Sequence, residues 1–341
     1  MPKPAKRATI YEVAERAGVS TATVSFALNR PDRVRLETRE RVLAAADELG
    51  YVPRSEAVVR ARALLGRIGV VAPFTSYSSY YRRLSGVLEA LGDDSRDVCL
   101  FDHESAATAT SPLLASLPIV DRLDGIIVMG FAIESHVADR LMVRSVPTVV
   151  VDAPTEVFSS VGSDDAEGGR IAARHLLELG HRRIGFLTEH HRRHFVPLQA
   201  DKRLSGFREV LADAGIEGDD LVTRDVDNSM EAARSAAAEL LELPTPPTAI
   251  VAHDDSLAVG VLVAARAKGV RVPEDLSIVG FDDGELAAAL DLTTVHQPFE
   301  ESGRIAARLL MERLRARDPV RNRIYLDLRL VRRGSTGPAL S

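Results

Sequence analysis

The chain lacks most features that mark secreted, membrane-bound or catalytic proteins. Its 341 residues include one cysteine, Cys99, so neither a disulfide framework nor a cysteine metal cluster can form within a chain. No run approaches the roughly 18 uninterrupted apolar residues of a membrane span. The basic start, MPKPAKRATI, is not followed by the apolar stretch of a secretory signal. Together these absences predict a cytoplasmic protein. Catalytic signatures are missing too: no GxGxxG follows a strand, and there is no GxxxxGK(S/T), GxSxG or HExxH. His190, His191 and His194 crowd into HHRRH, which reads as a charged loop rather than a metal site. No enzyme activity, cofactor or metal is expected.

What is present is an ordinary globular balance, 45% hydrophobic and 27% charged, with a net charge of −6. The overall sign argues against nucleic acid, but the distribution does not. Residues 1–65 hold 12 Lys/Arg against 8 Asp/Glu, whereas the remainder holds 31 against 41. A basic head on an acidic body is the asymmetry of a protein whose head alone touches phosphates.

The head spells out its own geometry. Thr9-Ile10-Tyr11-Glu12 is a capping box, in which hydroxyl and carboxylate each satisfy the other residue's amide. Ile10, Val13, Ala14 and Ala17 then form one apolar face, and Gly18 supplies the left-handed stop. Ser20 caps a second helix after the single linking residue Val19, so the two helices must cross steeply, as in a helix-turn-helix. A third helix over about 38–49, with Val42, Leu43, Ala46 and Leu49, covers the pair. On the second helix Val24, Ala27 and Leu28 point inward, and Ala22, Ser25, Phe26 and Asn29 fall on the other side. Phe26 there either meets a thymine methyl in the major groove or packs against the neighbouring domain.

The segments TIYEVAERAGVSTATVSFALN and TRERVLAAADELGYVP resemble the DNA-binding head of the LacI/GalR family of bacterial regulators over nearly all of residues 8–53. The resemblance implies that Thr21, Ala22 and Phe26 read bases, while Thr9, Ser20, Thr23, Ser25 and Asn29 contact phosphates. Phosphate contacts set register and base contacts set sequence. None of the three readers makes an arginine–guanine fork, so base preference should lean on methyl groups and shape. Residues 54–65 resemble the family's hinge, which brings Ala57 and Arg60 to the DNA. The family's minor-groove leucine is Arg60 here. Either Arg60 and Arg62 enter a narrow, negative minor groove, Leu64 acts as a shifted wedge, or the segment is a solvated basic linker.

From 66 to 336, apolar runs alternate with amphipathic helical stretches: IGVVAP (68–73), DVCLFD (97–102), GIIVMG (125–130), TVVVDA (148–153), IGFLT (184–188), AIVAH (249–253), SIVGFDD (277–283) and LTTVH (292–296). Such alternation predicts an α/β fold with parallel sheets, and eight strands exceed one small sheet, so two lobes are expected. The body resembles the family's two-lobed, periplasmic-binding-protein-like domain. That likeness implies an N-lobe of about 66–162 and 295–324 and a C-lobe of about 163–294 and 325–336.

Ligands of open parallel sheets bind outside the carboxyl ends of the strands, where Asp152, His253, Asp254, Asp282 and Asp283 fall. Asp254 and Asp283 read equally well as helix caps. The resemblance places Asp152, Arg203, His253 and Asp282 in the effector pocket. Tyr77, Tyr80 and Phe131 either stack on a sugar face or are ordinary loop packing. Carboxylates with an arginine suit vicinal hydroxyls. The expectation is a homodimeric repressor of double-stranded operator DNA, controlled by a small molecule between its lobes, a sugar first among the candidates. A ligand-binding protein or enzyme on the same body, without operator regulation, is the alternative.

Overall fold

The computed structural model describes residues 8–29, 33–51, 66–92, 96–102, 123–189, 199–216, 218–315 and 320–339. Ala57, Arg60, Arg62 and Leu64 of the hinge, and the HHRRH run, lie outside the described residues. No helix among the described residues is long and apolar enough to cross a membrane.

The head is three helices, α1 (Ile10–Ala17), α2 (Thr21–Asn29) and α3 (Leu36–Glu48). The capping box at Thr9 forms, and Gly18 ends α1 at φ 64°. Helix α3 begins two residues before the expected 38. Val13, Ala17, Val24, Ala27, Leu28, Val42, Leu43 and Ala46 close a common core.

The chain divides into two units, Met1–Gly162 with Phe299–Ile324, and Ser163–Pro298 with Tyr325–Ser341. The second crossing, expected near 295, falls after Pro298. The reason is that β10 (Thr293–His296) pairs in parallel with β9 (Ser277–Asp282) of the second unit, which keeps residues 295–298 there.

Each unit carries a six-stranded sheet. The first has the order β11-β5-β4-β3-β1-β2 and the second β12-β10-β9-β8-β6-β7. In the first, β1 (Arg67–Ala72), β2 (Asp97–Asp102), β3 (Gly125–Met129), β4 (Thr148–Val151) and β5 (Ser159–Ser163) are joined by parallel ladders. In the second, β6 (Ile184–Glu189), β7 (Leu221–Val226), β8 (Ala249–Ala252), β9 and β10 are likewise parallel. β12 (Arg329–Val331) closes the second sheet antiparallel to β10, and β11 (Arg323–Leu326) borders the first. All eight runs read from the sequence are strands. β5, β7, β11 and β12 were not foreseen, because SSVGS, LVTRDV, RIYL and RLV mix polar residues into outer sheet positions and show no continuous apolar run.

The helices of the first unit are α4 (Ser79–Leu91), α5 (Ser135–Val143) and α11 (Phe299–Arg315). Those of the second are α6 (Asp165–Glu178), α7 (Gln199–Asp213), α8 (Met230–Leu241), α9 (Asp255–Ala267) and α10 (Glu285–Ala289). Two pairs, α4 with α11 and α6 with α7, pack almost backbone to backbone. A Cβ on Gly303 would stand 1.9 Å from the Arg83 carbonyl oxygen, and one on Gly169 would stand 1.9 Å from that of Arg203. Only glycine permits this approach, and it fixes both arginines rigidly over their sheets.

Candidate nucleic-acid interface and effector site

On the head, the expected phosphate-contacting and base-reading positions other than Thr9 lie on or beside α2. Ser20 precedes α2, its Oγ accepting from the Thr23 amide at 3.1 Å and lying 2.9 Å from the Thr23 hydroxyl. Thr9 is the N-cap of α1, its hydroxyl 3.0 Å from a Glu12 oxygen. Thr21 and Ser25 are half-buried, Ala22 is exposed, and Asn29 is the last residue of α2. Phe26 is 45% exposed. Behind this face, Asp47 of α3 meets α5 of the first unit: Arg144 donates to it at 2.7 Å and Arg140 Nε stands 3.2 Å away.

In the second unit, α7 delivers Arg203 to the carboxyl ends of the strands. Its Nε donates to Asp165 at 3.0 Å and its Nη1 to the His253 carbonyl at 2.5 Å. The guanidinium lies 3.7 Å from the centre of the Phe281 ring and Nη1 3.9 Å from Asp282. Gln297 donates to Asp282 at 2.7 Å. Burial pushes the Asp282 carboxyl up to about 6; Arg203 pulls against that rise and Asp254 adds to it. The buried His253 ring presents Nε2 at 3.4 Å from Glu189 and 3.7 Å from Asp254, outside hydrogen-bond geometry with either. Asp254 caps α9, accepting from the Leu257 amide at 2.7 Å. Asp283 is not a cap; it binds Arg333 at 2.6 Å and His296 at 2.8 Å.

Beneath this cluster sits Asp255, accepting from the Gly284 amide and the Thr294 hydroxyl, both at 2.7 Å. Burial, reinforced by Asp282, pushes its carboxyl up to about 8.

The first unit has its own cluster. Asp152 follows β4 at φ 53° and Phe131 follows β3, beside Gly130 at φ 83°. Arg83 of α4 is ion-paired with Asp152, both side chains buried, and its guanidinium lies 4.1 Å from the Phe299 ring centre and 5.1 Å from that of Tyr80. Tyr77 meets Tyr80 edge-on at 6.1 Å. Asp152, Asp282 and Asp283 account for three of the five positive-φ non-glycine residues among those described.

Comparison with known proteins gives this geometry a context. Residues 9–54 match the family described as "Bacterial regulatory proteins, lacI family", and residues 173–336 match "Periplasmic binding protein-like domain". The chain is 32% identical over 333 residues to the HTH-type transcriptional repressor PurR of Photobacterium profundum, covering 96% of this chain and 98% of that one. It is 34% identical to the HTH-type transcriptional regulator DegA of Bacillus subtilis, covering 97% and 99%. The chain belongs to the LacI family. Solved structures agree: a CelR–cellobiose complex at 30% identity and TM-score 0.66 covers 96% of this chain and 100% of that one. A lac repressor dimer bound to operator and the anti-inducer ONPF, at 28% identity and TM-score 0.66, covers 97% and 100%.

This LacI-family chain is thus a DNA-binding transcriptional repressor with a ligand-binding domain, not an enzyme. Within its two strand-end clusters, sequence reasoning missed Arg83, Glu189, Gln297 and Asp165. Glu189 and Gln297 carry no local mark. For Arg83 a signal existed: RRLSG at 82–86 echoes KRLSG at 202–206, and GRIAAR occurs at both 169–174 and 303–308.

Proposed function

We propose that this LacI-family repressor acts in the cytoplasm as a homodimer whose heads read two half-sites of a near-palindromic operator, and that a sugar effector controls its grip. The single observation carrying the DNA half of this reading is the open face of α2. Ala22 and the large apolar Phe26 stand exposed on a short helix N-capped by Ser20, leaving an aromatic face open to a covering surface. A major-groove base edge supplies one. Thr21, Ala22 and Phe26 read bases, and Thr9, Ser20, Thr23, Ser25 and Asn29 hold phosphates, with Ala57 and Arg60 reaching the DNA from the hinge.

The effector is recognised by Asp152, Tyr77, Tyr80 and Phe131 of the first unit and by Arg203, His253 and Asp282 of the second. Carboxylates that accept, an arginine that donates and aromatic faces that stack are the complement of a hydroxylated ring. The cellobiose seen in a related regulator supports a sugar. The ligand must favour one conformation of the body over another to alter operator affinity. Self-association is supported by large apolar side chains left exposed: Tyr81 and Leu88 on α4, Leu100 on the edge strand β2, and Leu286 and Leu290 in the second unit. Such surfaces are commonly covered by a partner.

The test is selection of operator sequences from random duplex DNA by the purified protein, followed by release measurements with a sugar panel. A palindromic consensus, weakened and broadened by Phe26→Ala, is expected. A Phe26→Ala protein that keeps both affinity and preference refutes the reading of bases by Phe26. Sedimentation at micromolar concentration showing only a 36.9 kDa monomer refutes the dimer.

A further inference from the structure

The two units repeat one device, and the repeat singles out Arg83. In the second unit Arg203 lies in KRLSG, its carbonyl oxygen against Gly169 of GRIAAR, with Gly206 against the backbone of Ala166. In the first unit Arg83 lies in RRLSG, its carbonyl oxygen against Gly303 of the other GRIAAR, with Gly86 against the backbone of Glu300. The sheets correspond strand for strand in their order, so β4 and β9 occupy the same place. Asp152 directly follows β4 and Asp282 ends β9, both with positive φ. Arg83 with Asp152 is therefore the counterpart of Arg203 with Asp282.

The counterparts differ in one respect that matters chemically. The Nε of Arg203 donates to Asp165, the first residue of α6. The same position of α11, four residues before its glycine, is Phe299. A ring stands where the carboxylate would be, 4.1 Å from the guanidinium. Consequently Nε and Nη1 of Arg83 are buried with no hydrogen-bond partner among the described residues, although Nη2 reaches Asp152. The side chain is only 5% exposed. Two orphaned donors on a fixed, buried cation are costly, and a native structure keeps such groups where something completes them.

We infer that Arg83 is a specificity-determining residue of the effector site, donating from Nε and Nη1 to acceptor oxygens of a hydroxylated ligand. This rests on the sugar-effector reading above and deepens it. The first unit then recognises a hydroxyl-bearing edge with an arginine–aspartate pair, as the second does with Arg203 and Asp282. The donors are closed to solvent, so a neighbouring side chain must give way as the ligand enters. Binding and rearrangement around Arg83 become one event, which suits a switch.

The experiment is thermal unfolding of the full chain, alone and with D-ribose, D-glucose, cellobiose or hypoxanthine, for wild type, Arg83→Met/Asp152→Asn and Arg83→Lys. The double variant removes the orphans and the buried carboxylate together, so its ligand-free melting temperature is expected to rise by about 5 °C, from two donors and about 2–4 °C per kcal/mol. A sugar that raises the melting temperature of wild type should fail to raise that of the double variant, and should act weakly on Arg83→Lys. A double variant that still responds like wild type overturns the roles of Arg83 and Asp152, and one that melts lower without ligand overturns the orphaned-donor argument for Arg83; neither outcome bears on whether the effector is a sugar. A wild-type protein that answers to none of the sugars, or only to hypoxanthine, overturns the sugar reading and this inference with it.

Discussion

Asp255 allows a sharp test of how the second unit is put together. In the folded chain its carboxyl is buried beside Asp282 and pushed up to about 8, whereas in the unfolded chain it ionises near 3.9. A raised carboxyl means that the folded state holds a proton that the unfolded state has released. The sign follows: from about pH 4 up to about pH 8, the contribution of Asp255 to stability falls as pH rises. Between pH 6.5 and the folded value lie about 1.5 units, each worth 1.36 kcal/mol, so the loss attributable to Asp255 is about 2 kcal/mol. Burial holds His175 down at about 4 and lowers His181 as well. Asp255→Asn mimics the protonated acid. Its oxygen can accept from the Gly284 amide and its amide can donate to the Thr294 hydroxyl, keeping both contacts of the native side chain. Urea unfolding of wild type and variant at pH 6.5, 7.5 and 8.5 should therefore give curves that diverge as pH rises, with the variant gaining about 2 kcal/mol relative to wild type. Curves that stay parallel across the window would show that Asp255 is ionised in the folded chain, and the reasoning about its burial would fail.

Other expectations are simpler. Thr9→Ala removes the N-cap of α1 and should destabilise the head by about 1 kcal/mol, whereas Thr9→Ser should keep most of that stability; equal unfolding midpoints for all three proteins would refute the capping role. His175, held near 4 by burial, should take away about 3 kcal/mol of stability by pH 4 relative to pH 6.5, opposing the gain that Asp255 makes over the same range. His175→Gln should gain on wild type by that amount over this range in a denaturation series, and equal pH profiles for the two proteins would refute the burial argument. Asp47→Arg should loosen the head from α5, seen as faster proteolytic cleavage between residues 52 and 65, and a compensating Arg144→Asp should restore the native rate. With these side chains about one-fifth exposed, the coupling should be about 1 kcal/mol, and a double variant no slower to cleave than the single one would refute the contact.

How much was legible follows from what kind of order a sequence displays. The head was readable because each of its decisions is local. Thr9 meets Glu12 three residues on, Gly18 turns where it stands, and the faces of α2 follow from a 100° step. Seven of the eight strands read from the sequence are central, and strands buried on both faces must be apolar throughout; the eighth, β2, lies at an edge but keeps an apolar VCLF run, while β5 and β7, with outer places in the sheet, could carry SSVGS and LVTRDV and so stayed hidden. The two strand-end clusters were only half readable, because each is a meeting of elements distant in the chain. Arg203 and Asp282 were nameable by family likeness, yet the partners that define their chemistry, Asp165 and Gln297, come from other elements and carry no local mark. Asp283 shows the opposite failure: a strand-end aspartate before a helix looks like a cap, but Arg333, fifty residues away in sequence, claims it. Arg83 lies between these cases. No local rule separates it from the neighbouring Arg82, which reaches Glu300 at 2.7 Å, but comparison of the chain with itself does. Two copies of GRIAAR and two of a basic residue followed by RLSG set Arg83 opposite Arg203, and the substitution of Phe299 for Asp165 then leaves its donors unmet. Internal repetition is thus a source of long-range information that a single sequence contains, and in a two-lobed protein it reaches the cluster that local patterns miss.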